Sequence, residues 1–275
     1  MNITAADVNK LRQQTGAGMM DCKSALMEAE GDFEQAIDIL RKKGQKVAAK
    51  RSDREAGEGV VIAKSTADGT RGALIVLNCE TDFVAKNEGF VAVANTILDV
   101  ALQNNPANMD ELKALTFPGS SLSINDKITE EIGKIGEKID LSAYDRSEGG
   151  KVVAYIHPGN RLATLVTFNR PTSDEIGKDV AMQVAAMDPV ALDEKSVPQS
   201  VIEREIEVGR ELAIQEGKPA EMAEKIALGR LNKFYKESTL LNQEYIKDNK
   251  MSIKQFLQNS DKDLTITGFF RRSLS

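Results

Sequence analysis

One histidine, two cysteines and no long apolar run set the first limits on this chain of 275 residues. With His157 as the only imidazole, a histidine-based triad would have to be built on that residue, and no Gly-x-Ser-x-Gly elbow accompanies it. Cys22, Cys79 and His157 are too widely spaced to suggest a zinc set, and two thiols give no disulfide framework. A P-loop and a dinucleotide-binding glycine fingerprint are both missing. No run approaches the roughly 18 apolar residues of a membrane span. The start, Met1-Asn2-Ile3-Thr4, lacks the basic and apolar regions of a secretory signal. The expectation is a cytoplasmic, reduced protein with no membrane partner. A basic surplus is absent too: the net charge of -6 argues against nucleic acid as the main partner. What remains is a binding protein without a cofactor, not an enzyme, although 42 acidic residues leave scattered carboxylate pairs as an alternative chemistry.

What is present is ordinary globular material, 41% hydrophobic and 28% charged, with room for two or three small domains. Residues 1–43 read as three short helices. Thr4 caps the first, Gly16-Ala17-Gly18 breaks it, and Cys22, Ala25, Leu26 and Ala29 line one face of the second. Asp32 then caps a third that carries Phe33, Ala36, Ile37 and Leu40. This bundle resembles a ubiquitin-associated-type domain. Gly44 to Gly59 reads as a charged, partly helical linker. Its neighbourhood holds Arg41, Lys42, Lys43, Lys46, Lys50, Arg51 and Arg54, either a solvated helix face or a contact for RNA or an acidic partner.

Two later stretches read as rough copies. Gly59–Ala63 and Gly72–Asn78 predict a strand hairpin, turned at Asp68-Gly69, with a helix near Phe90–Leu102. Gly150–His157 and Leu162–Asn169, followed by a helix near Glu175–Met187, repeat that order. Only the first copy joins strand to helix through an acidic-aromatic loop, Cys79-Glu80-Thr81-Asp82-Phe83-Val84-Ala85-Lys86-Asn87; the second uses Arg170-Pro171-Thr172-Ser173-Asp174. Scaffold alone would allow the bland connection twice, so Phe83 is a functional candidate. The competing reading makes Phe83 a plug for its own sheet and Asp82 a cap or a solvated acid. A further helix is predicted over Asp126–Asp140, a helical hairpin over Val201–Glu216 and Pro219–Glu237, then a helix near Ser252–Leu257 and a strand over Leu264–Phe270. The hairpin's predicted seam is Ile202, Ile206, Leu212, Met222, Ile226 and Leu231. The fold class is α+β: an N-terminal three-helix domain, then a core of two related α+β subdomains with small antiparallel sheets and an inserted helical hairpin. The expected division is 1–55, 56–140 and 141–275, with the hairpin at 198–237 and a C-terminal module at 258–275.

Four segments then become recognisable in order. Thr15-Gly16-Ala17-Gly18-Met19-Met20-Asp21-Cys22-Lys23-Ser24-Ala25-Leu26 and Asn78 to Asn87 closely resemble the two signatures of bacterial elongation factor Ts. Ala185-Ala186-Met187-Asp188-Pro189 and Gly229-Arg230-Leu231-Asn232-Lys233-Phe234-Tyr235 resemble further family segments, so the likeness runs from Ile3 to about Phe270. The turn His157-Pro158-Gly159-Asn160-Arg161 departs from the usual form in Pro158.

The resemblance implies nucleotide exchange on elongation factor Tu, bound in its GDP and nucleotide-free forms. It implies that Thr81, Asp82, Phe83 and Val84 disturb the partner's magnesium site, with Phe83 as a wedge and Asp82 making polar contact. Met19 and Met20 lie about 100° apart on a helix, so one core and one exposed methionine is the plain expectation. The resemblance puts that end of the domain, and His157 in its hairpin turn, against the partner. Cys22 and Cys79 read as buried. Oligomeric state stays open, with a homodimer in a 2:2 complex among the forms. The alternative function is a ribosome- or nascent-chain-associated scaffold.

Overall fold

The computed structural model describes residues 3–274. The first three helices are α1 (Ala5–Thr15), α2 (Met19–Glu28) and α3 (Phe33–Arg51). Thr4 caps α1 reciprocally: Asp7 N donates to Thr4 Oγ1 (3.2 Å) while Thr4 N donates to the Asp7 carboxylate (3.0 Å). Gly16, at φ +70°, ends α1 in a left-handed conformation that its missing Cβ permits. Val8, Leu11, Cys22, Ala25, Leu26 and Ala36 make the small core. Asp32 caps α3 through Gln35 N (2.9 Å). Helix α3 runs on to Arg51, so the first half of the expected linker is helix, in line with the partly helical reading.

Strands β1 (Glu58–Ser65) and β2 (Arg71–Cys79) follow, then a single helical turn α4 (Asp82–Ala85), α5 (Glu88–Asn104), α6 (Met109–Ala114) and α7 (Ile124–Ile135). The apolar run of β2 is buried on both faces, as its continuity predicts. Phe90, Ala94, Ile97 and Ala101 of α5 are buried in one stripe. Helix α7 stops earlier than its predicted end at Asp140. Gly136, at φ +79°, caps it, and the chain turns into β3 (Ile139–Glu148), which completes a sheet ordered β1-β2-β3. Buried Ile139 and Leu141 show the period-two signal behind that strand.

Helices α3 and α7 cross at two glycines. A Cβ on Gly133 would lie 2.7 Å from Gly44 Cα, and one on Gly44 would lie 3.2 Å from the Thr129 carbonyl oxygen. Glycine within a helix costs up to about 1 kcal/mol relative to alanine, and the close approach of two backbones is what these residues provide.

The remaining elements are β4 (Lys151–Ile156), β5 (Leu162–Phe168), α8 (Asp174–Met187), α9 (Gln199–Gln215), α10 (Ala220–Ser238), β6 (Glu244–Tyr245), β7 (Asp248–Ser252), α11 (Ile253–Ser260) and β8 (Ile266–Ser273). Strands β4 and β5 pair antiparallel, from Lys151 opposite Phe168 to Ile156 opposite Ala163, and β8 adds to the far side of β5. Val166, Phe168, Val180, Ala181, Val184, Leu257 and Ile266 belong to their core. The α9–α10 seam matches prediction at Leu231 and otherwise differs. It buries Gly209 and Ala213 with Ala223, Ala227 and Leu231, while Leu212 and Met222 face solvent. Small residues let these helices approach closely: a Cβ on Gly209 would lie 3.2 Å from Ala227 Cα.

The chain forms two compact units. One contains the described residues up to Ile62, Ile75–Tyr144 and residues 273–274; the other contains Ala63–Leu74 and Asp145–Arg272. Helices and small sheets of this kind make the fold α+β.

The β1–β2 turn gives a pH prediction. Asp68 accepts from Thr66 Oγ1 (2.5 Å), Thr70 N (3.0 Å) and Thr70 Oγ1 (2.9 Å), and these bonds, Thr66 first, hold its carboxyl at about 2. The folded value lies below the ordinary 3.8, so the ionised turn stabilises the fold above pH 3.8 and that contribution disappears as pH falls through about 2. Asp68→Asn should therefore melt below wild type near neutrality, and the gap between the two melting curves should close toward pH 2.

Candidate functional site: the loop after the second strand

The loop starts from a fully buried Cys79, whose thiol donates to the Thr81 carbonyl (3.2 Å) and is pushed up to about 12, chiefly by burial. A thiol so protonated is not a nucleophile. Glu80 follows and is tied on two sides. It accepts two bonds from Arg51 of α3 (3.1 and 2.9 Å) and one from Lys138 N (2.6 Å). The Lys138 amide, more than the guanidinium, keeps the Glu80 carboxyl below its ordinary range.

Thr81 is held by Glu137, from the turn between α7 and β3. Thr81 N donates to Glu137 Oε2 (3.0 Å) and Thr81 Oγ1 donates to Oε1 (2.7 Å). The same hydroxyl oxygen accepts from Val84 N (3.4 Å) and so caps α4. At the far end Asn87 Oδ1 accepts from Gly89 N (2.9 Å) and Phe90 N (3.3 Å), starting α5. The loop is therefore pinned at both ends around one turn of helix.

On that turn Phe83 is 82% exposed. Seven residues later Phe90 is fully buried in the core, so an aromatic could be buried locally and this one is not. The sheet-plug reading of Phe83 is therefore corrected. Asp82 pairs with Lys86 (2.6 Å), whose hydrogen bond lowers its carboxyl; the Lys86 side chain is largely exposed and that of Asp82 about half. Exposed ion pairs contribute little, so Asp82 can exchange Lys86 for another cation at small cost. Val84 is half-buried. The corresponding connection in the second copy is different: Ser173 Oγ caps α8 and Arg170 pairs with Asp261 (3.0 Å).

Met19 and Met20 open α2, and both are exposed, at 58% and 70%. The expectation of one core methionine is corrected. The core is filled from Cys22 onward, so the first turn of α2 projects past it. With Ile3, Val8 and Lys23, the two methionines line a cleft of about 530 Å³ between the starts of α1 and α2. His157 lies in the exposed β4–β5 turn, where its N donates to Leu162 O (2.8 Å) and its Nδ1 meets the Tyr155 hydroxyl at 3.0 Å. Thr81–Val84, Met19 and Met20 belong to the first compact unit and His157 to the second. Cys22 is fully buried, as expected.

Sequence reasoning missed Arg51, Glu80, Glu137 and Lys138 as supports. Glu80 was visible as part of a segment but not as an anchor, and nothing near Glu137 points to a residue 56 positions away. Among the described residues no three His, Cys, Asp or Glu side chains gather as a metal site, and no helix is long and apolar enough to cross a membrane.

A model of the elongation factor Ts family matches residues 80–275. The chain is 52% identical over 274 residues to elongation factor Ts of Amoebophilus asiaticus, covering 98% of each. Identity to the protein of the same name in Christiangramia forsetii is 50% over 274 residues, with 99% of this chain and 98% of the relative covered. For that of Flavobacterium psychrophilum it is 51% over 274 residues, with the same coverage. These matches span the loop that carries Phe83 and the fold that holds it, and the chain belongs to the elongation factor Ts family.

Proposed function

We propose that this chain promotes GDP release from elongation factor Tu, with Phe83 entering the partner near its nucleotide and magnesium site. The observation that carries the reading is an 82% exposed phenylalanine on a helical turn anchored from both sides. Exchange requires no acid, base or cofactor of its own. A protein that binds the nucleotide-free partner better than the nucleotide-bound form weakens nucleotide binding by the same factor. This is binding chemistry rather than enzymatic catalysis, and it operates in the cytoplasm where translation occurs.

Other contacts share the load. In this reading the N-terminal bundle, a ubiquitin-associated-like module within residues 1–55, lays Met19 and Met20 on the partner's nucleotide domain. Methionine suits that use because its unbranched thioether adapts to irregular surfaces. Residues 56–140 carry the wedge and 141–275 carry His157, the hairpin and the C-terminal strand, with His157 at a separate partner contact.

The test is stopped-flow release of labelled GDP from elongation factor Tu. Wild-type chain should accelerate release, and no acceleration at any concentration would defeat the reading in favour of a scaffold. A second arm isolates the metal. If Asp82 and Phe83 act by disturbing bound magnesium, wild type and Asp82→Ala/Phe83→Ala should differ less in excess EDTA than in millimolar magnesium. An equal rate ratio in both conditions would leave steric opening of the nucleotide pocket as the mechanism.

A further inference from the structure

We infer that Glu137 is a positioning residue for the proposed exchange, fixing the orientation of Phe83 through Thr81; the inference rests on the exchange reading above. A four-residue helix does not hold its own shape, because helix nucleation is unfavourable and α4 gains almost no propagation. Its internal cap is weak as well, Val84 N reaching Thr81 Oγ1 at only 3.4 Å. What holds Thr81 is the Glu137 fork, in which both oxygens of one carboxylate accept, from the backbone N–H and from the hydroxyl (3.0 and 2.7 Å). Charge-assisted bonds of this kind are stronger than neutral ones, and two together fix an angle as well as a distance.

The residues flanking Glu137 are fixed too. Gly136 N donates to Ile132 O (2.8 Å) as the cap of α7, and Lys138 N donates to Glu80 Oε1 (2.6 Å). Lys138 Nζ donates to the carbonyls of Ser52 (2.8 Å) and Arg54 (3.0 Å), just past the end of α3. Glu137 therefore transfers the position of the α7–β3 turn to the base of the turn that carries Phe83. The aromatic ring makes the contact, and Glu137 sets where it points.

The experiment is a double-mutant comparison of GDP release with an amide-exchange arm. Glu137→Ala should slow release about tenfold, since small misplacement of a contacting group is costly. In a Phe83→Ala background the same substitution should change release by less than about twofold, because there is no ring left to orient. Glu137→Gln, which keeps an acceptor for Thr81 N, should recover most of the loss. Amides of Val84 and Ala85 should exchange faster in Glu137→Ala while those of β2 do not. Equal slowing in both backgrounds would overturn the inference in favour of a merely structural role. Release at the wild-type rate, or unchanged amide exchange, would overturn it directly. If the wild-type chain itself left GDP release unaltered, the exchange reading would fall, and the amide arm would still decide the clamp.

Discussion

Phe83→Ala is expected to slow GDP release from elongation factor Tu by one to two powers of ten while leaving the free protein's stability nearly unchanged. Burying a phenylalanine contributes about 1.5–3 kcal/mol. At about 1.4 kcal/mol per tenfold, one ring accounts for roughly 10- to 150-fold. The ring is 82% exposed before binding, so its removal takes little from the fold. Melting should therefore move by no more than an ordinary surface change, within about 0.5 kcal/mol. Stopped-flow release and a circular dichroism melt measure the two effects. Unaltered release would remove Phe83 from the mechanism, and a large fall in melting temperature would mean that the ring supports the fold after all.

The second large effect concerns two helical glycines that should respond with opposite sign. Gly133→Leu places side-chain atoms where the α3 backbone lies, with even a Cβ only 2.7 Å from Gly44 Cα. Overpacking of this sort costs about 1–3 kcal/mol and sometimes more. Separating α3 from α7 would also move the base of the methionine-bearing bundle, so partner affinity should fall together with stability. Gly229 in α10 has no atom within 4 Å of a built Cβ. There Gly229→Ala should stabilise by about 0.5–1 kcal/mol, because only the backbone-entropy term remains. Urea unfolding of both variants decides the pair. A neutral Gly133→Leu would mean that the helix crossing relaxes freely.

Most of the architecture was legible because its signals are local. Thr4 and Asp32 announce helix starts, Gly16 and Gly217 announce ends, and the apolar run from Ala73 to Leu77 announces an inner strand. Strand β3 was not read, because its polar residues follow α7 so closely that the helical pattern masks the alternation of Ile139 and Leu141. Of the hairpin seam predicted from large apolar residues, Leu231 is buried, whereas the other buried positions are alanine and glycine, which an apolar pattern does not mark. Very short elements such as α6 and β6 have too few residues to carry a period. At the candidate site, the contrast between the two copies singled out the loop, and the resemblance favoured an outward ring. Geometry alone supplied the rest, since Arg51, Glu137 and Lys138 reach the loop from distant parts of the sequence.

That distance also sets an order of events during synthesis. Thr81 leaves the peptidyl transferase centre 56 residues before Glu137, the residue that fixes it. Until then the single turn α4, with Phe83 on it, lacks the Glu137 fork at its base. Contacts between residues so far apart in sequence form late, after the loop-closure entropy has been met. A nascent or truncated chain ending before the α7–β3 turn would contain all of Thr81–Val84 and still lack the carboxylate fork that holds Thr81. A loop held in this way thus reports that the chain has been made, and folded, well past the loop itself.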